Sequence, residues 1–285
     1  MNQTFRMVLG LIAALALAMQ PARAADTLNC TLARLTSLVL IPIGGLNSIQ
    51  AQLNGQTMYL IVDTGAVISM LRASSAAKLN LPVRQSKLVY LRDVYGNEVS
   101  TYVTVDELVL GQLKGKGINF MIMPDTMATE FMDGLLGPDL ISAFDAEFDF
   151  GRADLNLYSP KHCKGQVVYW TNEPYAAVPL HLDATRHIAM DLELDGQKIE
   201  TLIDTGATDS FLPRALAQRL FKWRADPPEL KARSANVNGT ETVLYSYPFK
   251  TLSFEGVNIT NPQITLTSDL LKGDSKLILG MNILS

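Results

Sequence analysis

Residues 58 to 66 read Met58-Tyr59-Leu60-Ile61-Val62-Asp63-Thr64-Gly65-Ala66, and residues 199 to 207 read Ile199-Glu200-Thr201-Leu202-Ile203-Asp204-Thr205-Gly206-Ala207. Each copy is a short apolar, strand-like run that delivers a carboxylate onto a Thr-Gly turn. One such triplet says little, but a second copy with matching flanks constrains the whole chain. A shift of 141 residues lays Leu53 on Leu194, Gly55 on Gly196, Gln56 on Gln197, Ser69 on Ser210, Leu71 on Leu212, Ala76 on Ala217 and Leu79 on Leu220. With two residues inserted, Val94-Tyr95-Gly96-Asn97-Glu98 meets Val237-Asn238-Gly239-Thr240-Glu241. The same enlarged shift lays Leu135-Leu136-Gly137 on Ile278-Leu279-Gly280. One domain duplicated within one chain accounts for all of these matches.

Within each copy the pattern is that of many short strands. Residues 36 to 62 alternate apolar segments with turn signals at Gly44-Gly45 and Asn54-Gly55, and so predict strand, turn, strand, hairpin, strand. A short helix is expected from Ala73 to Leu79. A long hairpin is expected from Leu88 to Val105, with its tip at Tyr95-Gly96-Asn97, and strand-like runs at Glu107–Leu110 and Ile118–Met123. Asp133-Gly134-Leu135-Leu136-Gly137 reads as an apolar strand stopped by glycine, Pro138 as the first turn of a short helix, and Phe148 to Tyr158 as extended closing structure. Ser159 to Ala177 has no clear period, apart from one candidate strand at Val167–Trp170. Residues 161 to 177 are therefore taken as a linker between lobes at 25–160 and 178–285. In the second copy Asp195-Gly196 is the hairpin turn, Pro213 the N1 position of a helix and Asn238-Gly239 a hairpin tip. The fold class is mostly β with short helices.

Two Asp-Thr-Gly-Ala turns, each after an apolar strand and each answered downstream by apolar-apolar-Gly, resemble the aspartic peptidases. The resemblance covers about Ile41 to Ser285. Pepsin-like members hold both aspartates in one chain, and retropepsins hold one per subunit and dimerise. This sequence resembles a retropepsin duplicated and fused, and Ala66 and Ala207 follow the retropepsin pattern. The resemblance implies two acid-protease β-barrel lobes related by a pseudo-two-fold axis, with Asp63 and Asp204 as the catalytic pair. It also implies that the Thr64 and Thr205 hydroxyls cross-brace the two loops. Gly65 and Gly206 would permit the loops' approach, while Leu136-Gly137 and Leu279-Gly280 thread beside them. The hairpin tips Tyr95-Gly96 and Asn238-Gly239 would be flaps over the substrate.

Two carboxylates about 3 Å apart hold one proton between them, because both cannot ionise cheaply. One then acts as base toward a water and the other as acid toward the scissile carbonyl. The resemblance implies no covalent intermediate, no cofactor and no metal. Pepsins set a hydroxyl beside each catalytic carboxylate where this chain has alanine. The expected optimum is therefore only mildly acidic, at roughly pH 4–6.

The N-terminus reads as an export signal. Arg6 supplies the positive end, Met7 to Met19 an apolar run too short to span a bilayer, and Ala22-Arg23-Ala24 a small-x-small cleavage pattern. Cleavage after residue 24 would leave a periplasmic or secreted protein with no membrane segment. Without Arg6 and Arg23 the 24 basic residues become 22 against 28 acidic ones, a net charge near −6 that excludes nucleic acid as a natural partner. Cys30 and Cys163 bracket the first repeat and either form a disulfide or stay as two buried thiols. His162, His181 and His187 fall outside the repeated motifs and are taken as surface or linker residues. After Gly280 only five residues remain, so the second lobe is expected to lack a counterpart of Phe148–Tyr158. Either the sequence is truncated there, or Val167–Trp170 or a neighbouring subunit fills the place.

The leading expectation is an exported aspartic endopeptidase, monomeric, acting on extended peptide or protein substrates. The alternative is a protease-like module that binds peptides or a partner protein without cutting them. A further alternative is self-assembly, with each lobe pairing with a lobe of another molecule.

Overall fold

The computed structural model of the chain describes residues 33–86, 91–92, 98–125, 131–161, 174–184, 186–237, 240–267 and 276–285. The export signal, both cysteines, Val167–Trp170, His162 and the hairpin tips at Tyr95-Gly96 and Asn238-Gly239 lie outside the described residues. Among those described, no helix is long and apolar enough to cross a membrane.

The first lobe opens with β1 (Arg34–Val39) and β2 (Ile41–Ile43), followed by the hairpin of β3 (Leu46–Leu53) and β4 (Gln56–Val62). Asn54 and Gly55 turn this hairpin with φ of 50° and 79°, the left-handed geometry that suits the twist of paired strands. Along β4 the side chains alternate. Met58, Leu60 and Val62 enter the lobe's core, while Tyr59 and Ile61 face the other way. Next come β5 (Met70–Arg72), α1 (Ala73–Lys78), β6 (Arg84–Gln85), β7 (Leu91–Arg92) and β8 (Glu98–Val99). The long pair β9 (Thr101–Leu110) and β10 (Leu113–Met123) follows. The lobe ends with β11 (Gly134–Leu136), α2 (Pro138–Ile141), β12 (Asp145–Asp149) and β13 (Asp154–Tyr158).

Its main sheet has the order β2-β3-β4-β11-β5-β10-β9-β6, and a second pairing of β3 with β9 curls the sheet back on itself. The strand β1 leaves this sheet to join β13 and β12 in a separate three-stranded one. The two strand-like runs expected at Glu107–Leu110 and Ile118–Met123 are only the ends of β9 and β10. Lys114-Gly115-Lys116-Gly117 carries no strand pattern, yet the ladder that pairs Leu113 with Leu110 and Met121 with Tyr102 continues through it.

The second lobe repeats the plan with β14 (His181–Leu182), β15 (Ile188–Leu194), β16 (Gln197–Ile203), β17 (Ser210–Pro213) and α3 (Arg214–Leu220). It continues with β18 (Lys231–Val237), β19 (Thr240–Ser246), β20 (Thr251–Phe254), β21 (Val257–Thr260), β22 (Ile264–Thr267), β23 (Leu277–Leu279) and α4 (Met281–Leu284). Pro213 closes β17 and precedes the helix, with ψ of 126°, so the N1 position belongs to Arg214 and not to the proline. β23 slots between β16 and β17 as β11 does between β4 and β5, parallel to the first and antiparallel to the second.

The long hairpin of the first lobe is broken in the second. Pro248 separates β19 from β20, and Pro262 separates β21 from β22. A proline has no N–H to give to a ladder, so each strand is interrupted where it falls. The broken corner is filled by Phe221, Trp223, Tyr247 and Phe249, whose neighbouring ring centroids lie 4.8 to 5.6 Å apart. Each lobe keeps its own apolar core, one around Phe120, Ile49 and Leu136 and the other around Phe249, Leu212 and Leu266. Large side chains buried this fully contribute about 1.5–3 kcal/mol each, which is what holds the loops between them in place.

Candidate active site

Strands β4 and β16 end at the seam between the lobes, and each hands its aspartate to the turn that follows. The N–H of Asp63 donates to the Leu136 carbonyl at 3.0 Å, and that of Asp204 to the Leu279 carbonyl at 3.0 Å. The apolar-apolar-Gly strands thus continue the ladder up to the carboxylate-bearing residue in both lobes.

The threonines that follow tie the lobes together. The Thr64 N–H donates to Thr205 Oγ1 at 3.1 Å, and the Thr205 N–H donates to Thr64 Oγ1 at 3.0 Å. Each hydroxyl in turn donates across the seam at 2.7 Å, from Thr64 to the Ile203 carbonyl and from Thr205 to the Val62 carbonyl. Both side chains are buried, so losing one hydroxyl would strand its partners without water to replace it.

Glycine is required where the loops meet. A β-carbon on Gly65 would collide with the Asp204 carboxyl, and one on Gly206 with the Asp63 carboxyl. Each carboxylate therefore rests on the bare backbone of the opposite loop. Within its own loop, Asp63 Oδ1 accepts the Ala66 N–H at 2.8 Å and Asp204 Oδ1 accepts the Gly206 N–H at 2.8 Å.

The two carboxyls hydrogen-bond each other, and both are pushed up from the ordinary carboxylate range. For Asp63 the main cause is burial. N–H groups of Ala66 and Gly65, the hydrogen bond from Asp204 and the charge of His187 pull it partly back. Asp204 is raised to about 7 by burial and by the neighbouring Asp63 charge. These values belong to the pair, which holds one proton through the mildly acidic range.

Below the dyad lies a second matched set. Ser69 Oγ donates to Asp139 Oδ1 at 2.7 Å and accepts the Gly137 N–H at 2.9 Å. In the other lobe Ser210 Oγ donates to Asn282 Oδ1 at 2.8 Å and accepts the Gly280 N–H at 2.9 Å. A β-carbon on Gly137 or Gly280 would meet backbone of the loop after the aspartate, at Ile68 and Ser69 or at Ala207 and Asp209. Asp139 and Asn282 were not singled out from the sequence. The repeat shift that aligns Gly137 with Gly280 also aligns these two, and that was the signal available.

His187 is not a mere surface or linker residue. It sits half-buried in a turn organised by Asp183, whose carboxylate accepts the His187 N–H at 2.9 Å and faces His187 Nδ1 at 3.6 Å. Its charge is felt at Asp63. His181 pairs with Glu200 at 3.1 Å on the exposed edge of the same lobe. Its position outside the repeated motifs hid this grouping, because the two lobes differ here. Tyr95, Gly96, Asn238 and Gly239 lie outside the described residues, although β18 and β19 pair as far as Val237 opposite Thr240.

Two similar β-lobes, each bringing one buried carboxylate to a common seam, define a bilobed acid-protease architecture. Family models agree with this for both halves. Residues 49–140 match the aspartyl protease model and residues 190–285 the gag-polyprotein putative aspartyl protease model. Each half thus carries an aspartyl-protease domain of the retropepsin-like kind. No curated protein matches the chain. Among solved structures it is similar to a retropepsin-like aspartic protease from Rickettsia conorii, at 23% identity over 44% of this chain and 91% of that one, with a TM-score of 0.32. It is also similar to basic 7S globulin from soybean, at 9% identity over 87% of this chain and 91% of that one, with a TM-score of 0.49. A third similar structure is the retroviral protease-like domain of Ddi1 from Leishmania major, at 18% identity over 41% and 95% of the two chains, with a TM-score of 0.30.

Proposed function

We infer that the chain is an exported aspartic endopeptidase that hydrolyses peptide bonds with a water activated between Asp63 and Asp204. The observation that carries this reading is the reciprocal packing at the seam. Each carboxyl lies on the glycine of the opposite loop, and the two share one proton. The ionised member takes a proton from the water as its oxygen attacks the scissile carbonyl carbon. The protonated member gives its proton to the carbonyl oxygen. In the neutral tetrahedral diol that results, the newly protonated carboxyl gives its proton to the amide nitrogen, the C–N bond breaks, and the other carboxylate takes the proton of a diol hydroxyl, so the pair again holds one proton. A monomer suffices for this chemistry, since both carboxylates come from one chain. Export rests on the pattern of residues 1 to 24 alone.

Cleavage of peptides by the mature protein, measured against pH beside Asp63→Asn and Asp204→Asn, tests the reading. Activity is expected to peak at roughly pH 4–6 and to fall as the pH passes the range where the pair loses its shared proton. Either substitution should reduce kcat by at least about 10³-fold. A maximum below about pH 3, or cleavage that survives either substitution, would sink the shared-dyad mechanism. Silence of all three proteins would put the peptide-binding module in its place.

A further inference from the structure

The lobes match element for element until the strand that opens each of them. A shift of 141 residues lays residues 175–180 on β1. In the first lobe β1 is paired with β13, from Arg34 opposite Tyr158 to Val39 opposite Asp154, and Thr36 and Leu38 are buried. The counterpart in the second lobe has no such cover. Residues 174–180 form neither helix nor strand, and among the described residues none of their main-chain groups makes a hydrogen bond. Of these residues only Val178 is partly covered, packed against the core of the second lobe. Tyr175 is 62% exposed and Leu180 57%. Unused donors and acceptors on a backbone that also carries exposed apolar side chains are what a site for extended peptides takes up, pairing the first and burying the second. Exposed linkers of this kind are where chains are most readily nicked.

The segment lies between β13, the last strand of the first lobe, and β14, the first of the second, so a cut there breaks no ladder. The halves would still be joined at the seam. There Thr64 and Thr205 exchange four hydrogen bonds, and each carboxyl rests on the glycine of the opposite loop. Not every bond in the segment is equally open. Pro179 has no N–H, and from Val178 onward the chain is held, first by the core and then by the pairing of His181 and Leu182 with β15. The bonds that follow Tyr175 and Ala176 remain, uncovered and beside a large, mostly apolar side chain.

We propose that the linker is itself a substrate of this protein. A second copy takes up residues 174–178 as a strand and hydrolyses the bond after Tyr175 or Ala176, giving a two-chain form whose lobes stay joined at the seam. The C–N bond breaks, water supplies the hydroxyl of the new carboxyl terminus, and its remaining proton goes to the new amino terminus. This proposal rests on the peptidase reading above.

Mixing the Asp63→Asn protein with a trace of wild type tests it, at the pH where wild type cleaves peptides best, with fragments read by intact mass and by gel filtration. The Asp63→Asn chain is expected to be cut in the mixture to a fragment that begins at Ala176 or Ala177, and its two halves should elute together. Adding Ala176→Pro and Ala177→Pro to the Asp63→Asn chain should slow the cut by at least about tenfold, because proline removes the N–H of both bonds. Neither alanine has a hydrogen bond to lose, so the same two prolines in wild type should leave kcat/KM on a test peptide unchanged. A wild type that cleaves test peptides but leaves the linker intact, or that cuts its own chain and never the Asp63→Asn partner, would overturn the proposal and leave the peptidase standing. The same cut in Asp63→Asn incubated alone would also overturn it, since another protease would then be responsible. Halves that elute apart would overturn the two-chain form. A wild type that cleaves neither peptide nor linker would overturn both readings.

Discussion

The two lobes share a skeleton and differ in what hangs on it. Both bring an aspartate to the seam on the same strand, next to the same parallel neighbour, with the same serine–glycine hydrogen bond beneath. Away from that frame the first lobe has an unbroken long hairpin and a methionine-rich patch. The second has two prolines in the hairpin and an ionic cluster of Asp183, His187, Lys276 and Glu200. Among the parts that stayed alike, the threonine brace is the one in which each lobe's groups are partners of the other's. Thr64 and Thr205 bind each other's loops, so neither can change without stranding groups in the opposite lobe. The parts that diverged satisfy their polar groups within a single lobe.

The sharpest way to break this symmetry is at the glycines. Gly65→Ala or Gly206→Ala drives a methyl into the opposite carboxyl, and peptide cleavage is expected to fall by at least about 10²-fold in either variant. If one variant keeps wild-type activity, the two loops are not equally engaged across the seam. Next in size are the threonines. Thr64→Val and Thr205→Val each remove two cross-seam bonds, and each should cost about 1–3 kcal/mol in denaturant unfolding. Equal costs would support the symmetry of the seam, whereas a cost in only one variant would show that a single lobe carries the brace.

The dyad itself makes the fold pH-sensitive. Asp204 is raised to about 7 from the ordinary carboxylate value of 3.8, so the folded chain holds a proton that the unfolded chain has released between those values. Stability therefore falls as the pH rises through that window. Asp204→Asn removes this titrating carboxyl and is expected to raise the melting temperature by several degrees at pH 8, with a smaller gain at pH 5. A gain that is larger at pH 5 would contradict the sign.

The smallest expected effect comes from exchanging Asp139 and Asn282, which do the same job in the two lobes. Burial raises the Asp139 carboxyl, so its cost is present above its folded pKa and is relieved as the pH falls through it. Asn282→Asp should destabilise by about 0.5–1.5 kcal/mol at neutral pH, since it loses the amide donor that Asn282 gives to the Gln263 carbonyl. Asp139→Asn should be neutral or slightly stabilising there and indistinguishable from wild type in acid. Melting curves at pH 8 and pH 4 distinguish these outcomes.

Much of this was legible in the repeat. The hairpin of β3 and β4, the helix after β5, the short strand ending at Gly137 and the threonine brace all lie at positions that local pattern or the duplicated motif marks. Their signals are local: a turn glycine, a proline at a helix start, an apolar run. Helix α3 starts one residue later than expected, and β9 and β10 run further than their sequence suggests. In both cases pairing with a neighbour outweighs local preference.

The sequence by itself determined that two copies of one mostly-β lobe exist and that each presents a carboxylate on a Thr-Gly turn. Those facts follow from period, turn chemistry and repetition, all of which act along the chain. Only the tertiary structure decided which residues surround that pair. Asp139 and Asn282 became partners of the catalytic loops, and His187 joined Asp183 and Lys276 near Asp63, because strands 70 to 93 positions apart pack side by side. Burial, shared hydrogen bonds and the mutual repulsion of two carboxyls depend on distance in space, which spacing along the chain does not encode.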